Sequence, residues 1–252
     1  MKIAVCAKQI PDPANPIEYS NGNVVRPEEQ VLDDTDRYGI EVALQLKEKY
    51  DAEVTVISMT KVGTEKGIQQ ALQMGPDNAL VLEDESLVGS NSLMTSNVLS
   101  ELAKKVNADI VIFGTESTDG YAGVVPQQVS RILNIPCISY VKNIEIDESV
   151  TLTRQTIEGS EKVKLPEKCV ISVTASGVEP RYPNFKDIMA AKNKPIEIIT
   201  KKDIEFNAEQ NMNFVEIKDI SSSKQGEKII DEGEAHQVII DKLKEIKAIW
   251  NH

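Results

Sequence analysis

The stretch GTESTDGYAGVVPQQ, residues 114–128, leaves an apolar run, passes Gly114, Gly120 and Gly123 with two hydroxyl residues between them, and enters a helical pattern near Val124. That composition suits an anion. Glycines let the backbone approach a phosphate closely, Ser117 and Thr118 can donate hydrogen bonds, and the following helix presents unpaired N–H groups at its positive end. The spacing matches neither the GxGxxG fingerprint nor the Walker loop, so these residues alone also fit a tight strand-to-helix turn. Asp119 is out of character for a phosphate site, because a carboxylate repels phosphate; it suits a ribose or adenine acceptor, or a brace for the loop.

No other cluster suggests catalysis: no histidine is paired with a nucleophile and no carboxylate pair stands isolated in an apolar setting. Cys6, Cys137 and Cys169 are odd in number, widely spaced and set in apolar stretches, which reads as buried reduced thiols. His236 and His252 lie near the C-terminus without metal-ligand spacing to a cysteine, so no metal is expected. A net charge of −12 argues against a nucleic-acid partner, whose phosphates are met by lysine and arginine. No segment approaches the roughly 18 apolar residues of a membrane helix, and Met1-Lys2 runs straight into a strand-like Ile3-Ala4-Val5 without a leader pattern. A cytoplasmic protein without a membrane span is the expectation.

The elements that must position the glycine loop follow from periodicity. KIAVCAKQI (2–10), EVTVISMT (53–60), ALVLED (79–84) and DIVIFG (109–114) are near-continuous apolar runs of strand type. Between them lie helical patterns at 36–50, preceded by Asp33, Asp34 and Thr35 as capping residues, at 65–75, and at 92–106. Alternating strands and helices predict an α/β fold, a mostly parallel sheet with helices on both faces. Ligands of such sheets bind where the strand order reverses, which directs attention to the loops after Lys8, Ser58 and Gly114. From about Ile138 the sequence becomes strand-rich, then gives a helix near 186–192 and a last strand PIEIIT at 195–200. Residues 201–235 are polar and aperiodic and read as an extended arm, ending in an amphipathic helix at 236–250 with Ile239, Ile240, Leu243, Ile246 and Ile249 on one side. That face can cover a partner or its own domain. The expected division is a nucleotide-binding domain at 1–200 and a C-terminal arm at 201–252 that packs on a partner subunit.

A longer pattern is more specific. Arg154, Glu158-Gly159 and Leu165-Pro166 precede a strand; then follow Glu179-Pro180-Arg181-Tyr182, Ile188-Met189-Ala190-Ala191-Lys192 and Lys194-Pro195-Ile196. This order resembles the signature of electron-transferring flavoprotein beta subunits, and KIAVCAKQIPD, ALQLKEK (43–49) and ALQMGPDNALVLED (71–84) extend the likeness along the chain. Two departures stand out: Ile157-Glu158-Gly159-Ser160 replaces a usual double glycine, and Pro13 sits where some relatives place a flavin-facing tyrosine.

The resemblance implies a Rossmann-like fold of the adenine nucleotide alpha hydrolase type. It implies an alpha subunit holding the electron-carrying FAD, and AMP in this subunit, with a second FAD as the alternative in bifurcating members that oxidise NADH. Redox chemistry then belongs to the flavin and this chain is a carrier subunit without catalytic residues. By position, the nucleotide site would comprise Cys6, the 33–36 segment with Asp36, Met59, and Glu116, Ser117, Thr118, Asp119, Gly120, Tyr121, Ala122, Gly123, Val124 and Gln127. Bifurcating members tend to carry Asp-Gly-Asp-Thr-Ala-Gln in this loop; Asp119-Gly120 matches and Tyr121-Ala122-Gly123-Val124 does not, so AMP is the expectation. Phe185, with Ile188 and Met189, takes the place of the family's apolar anchor for acyl-CoA dehydrogenases and other flavoprotein donors, with a quinone-reductase or ferredoxin-type acceptor downstream. A stand-alone adenine-nucleotide sensor would explain the glycine loop but not the 179–196 segment.

Overall fold

The protein is described by a computed structural model over residues 1–20, 23–63, 65–175, 178–205, 230–231, 233–246 and 248. It divides into two compact units, Met1–Val215 and Glu216–His252.

The first unit is built on a nine-stranded sheet. In chain order its strands and helices are β1 (Lys2–Cys6), α1 (Asp34–Tyr50), β6 (Glu53–Thr60), α2 (Lys66–Met74), β7 (Asn78–Glu83), α3 (Ser92–Lys105), β8 (Ile110–Gly114), α4 (Val125–Leu133), β9 (Cys137–Ile146), β10 (Val150–Thr156), β11 (Gly159–Lys164), β12 (Cys169–Val173), α5 (Phe185–Ala191) and β13 (Ile196–Ile199). Between β1 and α1 the chain makes four two-residue strands: β2 (Gln9–Ile10) pairs with β5 (Val31–Leu32), and β3 (Tyr19–Ser20) with β4 (Asn23–Val24).

The spatial order is β11-β10-β9-β12-β8-β1-β6-β7-β13. From β1 the chain steps outward through β6 and β7, then returns to place β8 on the other side of β1, with both neighbours parallel to it. The order therefore reverses between β1 and β8, the crevice where open α/β sheets hold ligands. β10 and β11 extend the far edge as an antiparallel hairpin from β9.

Alternation assigns the core. Ile3, Val5, Ile110 and Ile112 point to the face covered by α1 and α2, while Ala4, Cys6, Val111 and Phe113 point to the face covered by α3 and α4. The central strands β1 and β8 are thus apolar on both sides, as their sequences required. α1 starts at the N-cap Asp33, carries Asp34 and Asp36 in its first turn and Lys47 and Lys49 in its last, and ends at Asp51 in the left-handed region. The first anticipated strand, 2–10, is split, β1 ending at Cys6 and Gln9–Ile10 pairing in a separate sheet, while the other anticipated elements before residue 200 are found within one or two residues of their expected ends. The C-terminal helix, α6 (Ala235–Glu245), also departs from expectation. It begins one residue early and stops short of the expected end, while Ile249, Trp250 and the arm at 206–229 lie outside the described residues. Among the described residues, no helix is long and apolar enough to cross a membrane.

The 178–184 segment, which leads into α5, is tied to α1 by one arginine. The Arg181 backbone N–H donates to Glu41 Oε2 at 3.1 Å, its Nε to the same oxygen at 2.8 Å, and its Nη2 to Oε1 at 3.0 Å, while Nη1 pairs with Glu48. Glu41 is buried, and burial alone would raise its carboxyl; the Arg181 bonds outweigh that and hold it below the ordinary range. Replacing Arg181 by alanine should lower unfolding free energy by about 2 kcal/mol in urea titration, because a buried carboxylate loses its partner. A loss under ~0.5 kcal/mol would make the pair an ordinary surface bridge.

Candidate functional site

Two aspartates join the strand ends to the first helix. Asp33 is buried and its carboxylate accepts from four groups: Thr35 N (3.1 Å) and Thr35 Oγ1 (2.9 Å) on Oδ1, and Thr118 N (2.7 Å) and Thr118 Oγ1 (3.1 Å) on Oδ2. It therefore caps α1 and grips the glycine loop together. The Asp33 N–H in turn donates to Lys8 O at 3.0 Å, and the Thr35 hydroxyl shares its one proton between Asp33 Oδ1 and Glu116 O, each 2.9 Å away.

Asp36, one turn on, accepts from Lys8 N at 2.7 Å and from the Gly114 N–H. Space here is minimal: a Cβ on Gly114 would stand 3.0 Å from both Asp36 Oδ1 and the Thr35 carbonyl oxygen. Only glycine ends β8 this close to the helix start. Burial pushes the Asp36 carboxyl up to about 8, the Asp33 charge adds to the rise, and the donors from Lys8 and Gly114 act against it.

The loop itself turns on Ser117 O, which accepts from Tyr121 N at 2.9 Å. Tyr121 holds a left-handed φ of 47° with its side chain directed outward, 67% exposed, and Gly123 follows at 61°. Helix α4 follows the N-cap Val124 without a side-chain cap; Pro126 in its first turn carries no N–H, which leaves the Val125 and Gln127 N–H groups for an anion. Gln127 closes the loop from inside: with Nε2 turned toward the Gly123 (3.2 Å) and Val124 (3.1 Å) carbonyls, its Oε1 accepts from Ser139 Oγ at 3.1 Å. Gly120 and Ala122 are exposed at the crest.

Asp119 does not face the open side of the loop. Its carboxylate accepts from Lys8 Nζ and from Arg26 Nη2, each at 2.6 Å. Burial alone would raise this carboxyl, but the two cations outweigh it and keep it ionised, below its ordinary value. Of the roles weighed for Asp119, the geometry is that of the loop brace. Lys8, Arg26, Asp33 and Gln30 complete the surroundings, and Lys8, Arg26 and Gln30 carried no sequence pattern of their own. The one available signal was that Arg26 is the single basic residue between Pro11 and Thr35.

Other expected residues sit nearby in different settings. Cys6 ends β1 with its side chain buried in the core beside α3 and α4, where desolvation, followed by the Asp36 charge, raises its thiol far above the ordinary value. Met59 lies at the end of β6, partly buried against the same core. Cys6, Cys137 and Cys169 are free thiols, with Cys137 only partly buried. Among the described residues no cluster of three or more histidines, cysteines or carboxylates could hold a metal. Phe185 opens α5 with its ring 79% exposed rather than packed under its own helix, Met189 is exposed beside it, and Ile188 is partly buried. They lie on α5, away from the glycine loop in the chain, as a separate exposed patch.

Fold and loop together define a Rossmann-like α/β subunit whose candidate site sits at the switch point of a mostly parallel sheet. The electron transfer flavoprotein domain model matches residues 22–204. The chain is 31% identical to an electron transfer flavoprotein subunit beta of Mycobacterium tuberculosis over 98% of this chain and 99% of the relative. It is 32% identical to the corresponding subunit of Clostridium acetobutylicum, covering 97% and 98%. It is also 32% identical to the caffeyl-CoA reductase-Etf complex subunit CarD of Acetobacterium woodii, covering 83% and 82%. The chain belongs to the electron transfer flavoprotein beta subunit family.

Asp36 gives a pH signature. Its folded value of about 8 stands above its ordinary 3.8, so between those values the folded chain holds a proton that the unfolded chain has released. Its contribution to stability is therefore full below the lower value and is lost as pH rises through about 8. Urea midpoints measured from about pH 5 to about pH 9 should fall more steeply for the natural chain than for Asp36→Asn. Parallel curves would show that Asp36 is ionised throughout.

Proposed function

We propose that this chain is the small subunit of a heterodimeric electron carrier. It binds AMP at the ends of β1, β6 and β8 and pairs with an alpha subunit that holds FAD. In that complex it supports electron transfer between acyl-CoA dehydrogenase-type or other flavoprotein donors and a quinone-reductase or ferredoxin-type acceptor. The bound flavin supplies the redox chemistry; this chain positions, shields and docks. We further propose a cytoplasmic location, a nucleotide-binding domain at 1–200 and a C-terminal arm at 201–252 that packs on the alpha subunit.

The observation that carries this reading is the junction at Asp33, which fixes a glycine loop and an uncapped helix start at the switch point of the sheet. Residues there fit a phosphate: Gly120, Ala122 and Val124 are exposed along the loop, the Ser117 hydroxyl is at its edge, and the α4 N–H groups lie behind it. At the neighbouring strand ends Met59 offers a partly exposed apolar side chain suited to an adenine ring, and Cys6, its side chain buried, offers only its backbone.

A second reading gives this subunit a FAD of its own and NADH as donor. It is favoured by one observation, the likeness to a subunit of a caffeyl-CoA reductase-Etf complex. Against it stands the loop, where Tyr121, Ala122, Gly123 and Val124 provide neither the threonine hydroxyl nor the glutamine carboxamide that would meet a flavin diphosphate.

The visible spectrum and extracted nucleotides of the complex purified with its alpha subunit separate the two. One flavin and one AMP per heterodimer is the expected outcome; two flavins would contradict it. Docking is tested apart from this. Phe185→Ala should slow reduction by a dehydrogenase partner at least about tenfold, the scale of one buried anchor side chain, with bound nucleotide retained. Unchanged rates would remove Phe185 from the docking surface.

A further inference from the structure

The exposed ring of Phe185 stands on an element that cannot hold it in place alone. α5 is seven residues long, and an isolated helix shorter than about 12–15 residues is marginal in water. Between Val178 and Ala191 no residue is buried, and Tyr182, Phe185 and Met189 are exposed. The order of this surface is therefore supplied from its two ends.

The leading end is held by Arg181. Its backbone N–H and its guanidinium place three hydrogen bonds on the Glu41 carboxylate, whose side chain is 6% exposed, and Nη1 pairs with Glu48 further along α1. Gln45 Nε2 donates to Glu41 Oε1 at 3.0 Å, so the acceptor is itself fixed within the helix. A planar fork with a backbone donor beside it sets the direction in which the chain leaves α1 as well as its position. Only Tyr182, Pro183 and Asn184 separate this clamp from the ring. Pro183 locks one φ and restricts Tyr182 before it, and Asn184 caps α5, its Oδ1 accepting from Asp187 N at 2.9 Å. The trailing end rests on α2 and the sheet: Ala191 is fully buried, Lys194 Nζ donates to Leu72 O at 2.9 Å, and Pro195 O accepts from Ala79 N at 2.9 Å as β13 begins.

Ordering a stretch of chain costs conformational entropy, and this stretch offsets none of that cost by burying its own residues. The Arg181 clamp keeps a surface in shape rather than a core. A surface already in its bound form meets a partner without a further ordering cost, which strengthens association and leaves the chemistry after docking unchanged. We propose that Arg181 is the positioning residue of the docking surface, its fork on Glu41 and Glu48 presetting Phe185 for an electron donor. The proposal rests on the reading of Phe185 as the docking anchor.

Amide exchange and donor kinetics test it together. Arg181→Lys keeps a charge beside the buried Glu41 and removes the fork. In the full-length chain, exchange at 182–189 should quicken about tenfold. With an acyl-CoA dehydrogenase reducing the complex with the alpha subunit, the KM for that complex should rise about fivefold while kcat holds. Pro183→Gly leaves the Arg181 bonds intact and should produce the same pair of changes, so it serves even if the lysine variant folds poorly. In a Phe185→Ala background neither substitution should raise KM further, because the clamp acts through the ring. Unchanged exchange at 182–189 or unchanged KM in both variants, a fall in kcat, or an equal rise in KM with and without Phe185 would overturn the proposal and leave Phe185 as an anchor. If Phe185→Ala leaves KM unchanged, or the dehydrogenase does not reduce the natural complex, the docking reading fails and the positioning role fails with it.

Discussion

The site hangs on the buried carboxylate of Asp33. It closes the start of α1, and its second oxygen reaches across the sheet to hold the Thr118 backbone of the loop after β8. One residue thereby ties the helix that follows β1 to the loop on β1's other neighbour, which is the junction at which the strand order reverses. Asp36 repeats the tie one turn later through the backbone of Lys8 and Gly114. Asp33 stands at the positive end of α1, where unpaired N–H groups favour negative charge, while burial holds the Asp36 proton up to about 8. Without them the 116–120 turn would lose its fixed relation to β1, and Lys8 would no longer be presented to Asp119.

Two basic side chains at the switch point stand out against the global charge. The chain as a whole is strongly acidic at −12. Yet at the switch point basic side chains from two separate segments converge on a single carboxylate, beside a helix start that is itself partly positive. Long-range attraction therefore does little to recruit an anion, and short-range geometry must do the work. That fits a nucleotide held inside an assembly better than one captured rapidly from solution.

Much of this was legible in the sequence, for identifiable reasons. Strands such as Ile110–Gly114 are apolar on both faces, so their runs are continuous, and the alternation with helices gave the parallel sheet and the location of the switch point. The insertion of β12 between β8 and β9 was not legible, because parallel pairing over that separation leaves no local pattern. The same holds for the charges around the loop. Arg26 lies 93 residues from Asp119 in the chain, in a proline-rich stretch with no period, and nothing near it signals its partner. Asp119 was recognised as a residue that does not belong in a simple phosphate loop; what it faces only the fold could supply.

The central claim is that a nucleotide sits where β1, α1 and the loop after β8 meet. Hydrogen–deuterium exchange of the full-length chain with and without AMP addresses it directly. Protection confined to peptides covering 6–9, 33–36, 58–60 and 115–127 is the predicted result. Protection on α5, or no change in the 115–127 peptide while AMP is bound, would contradict it.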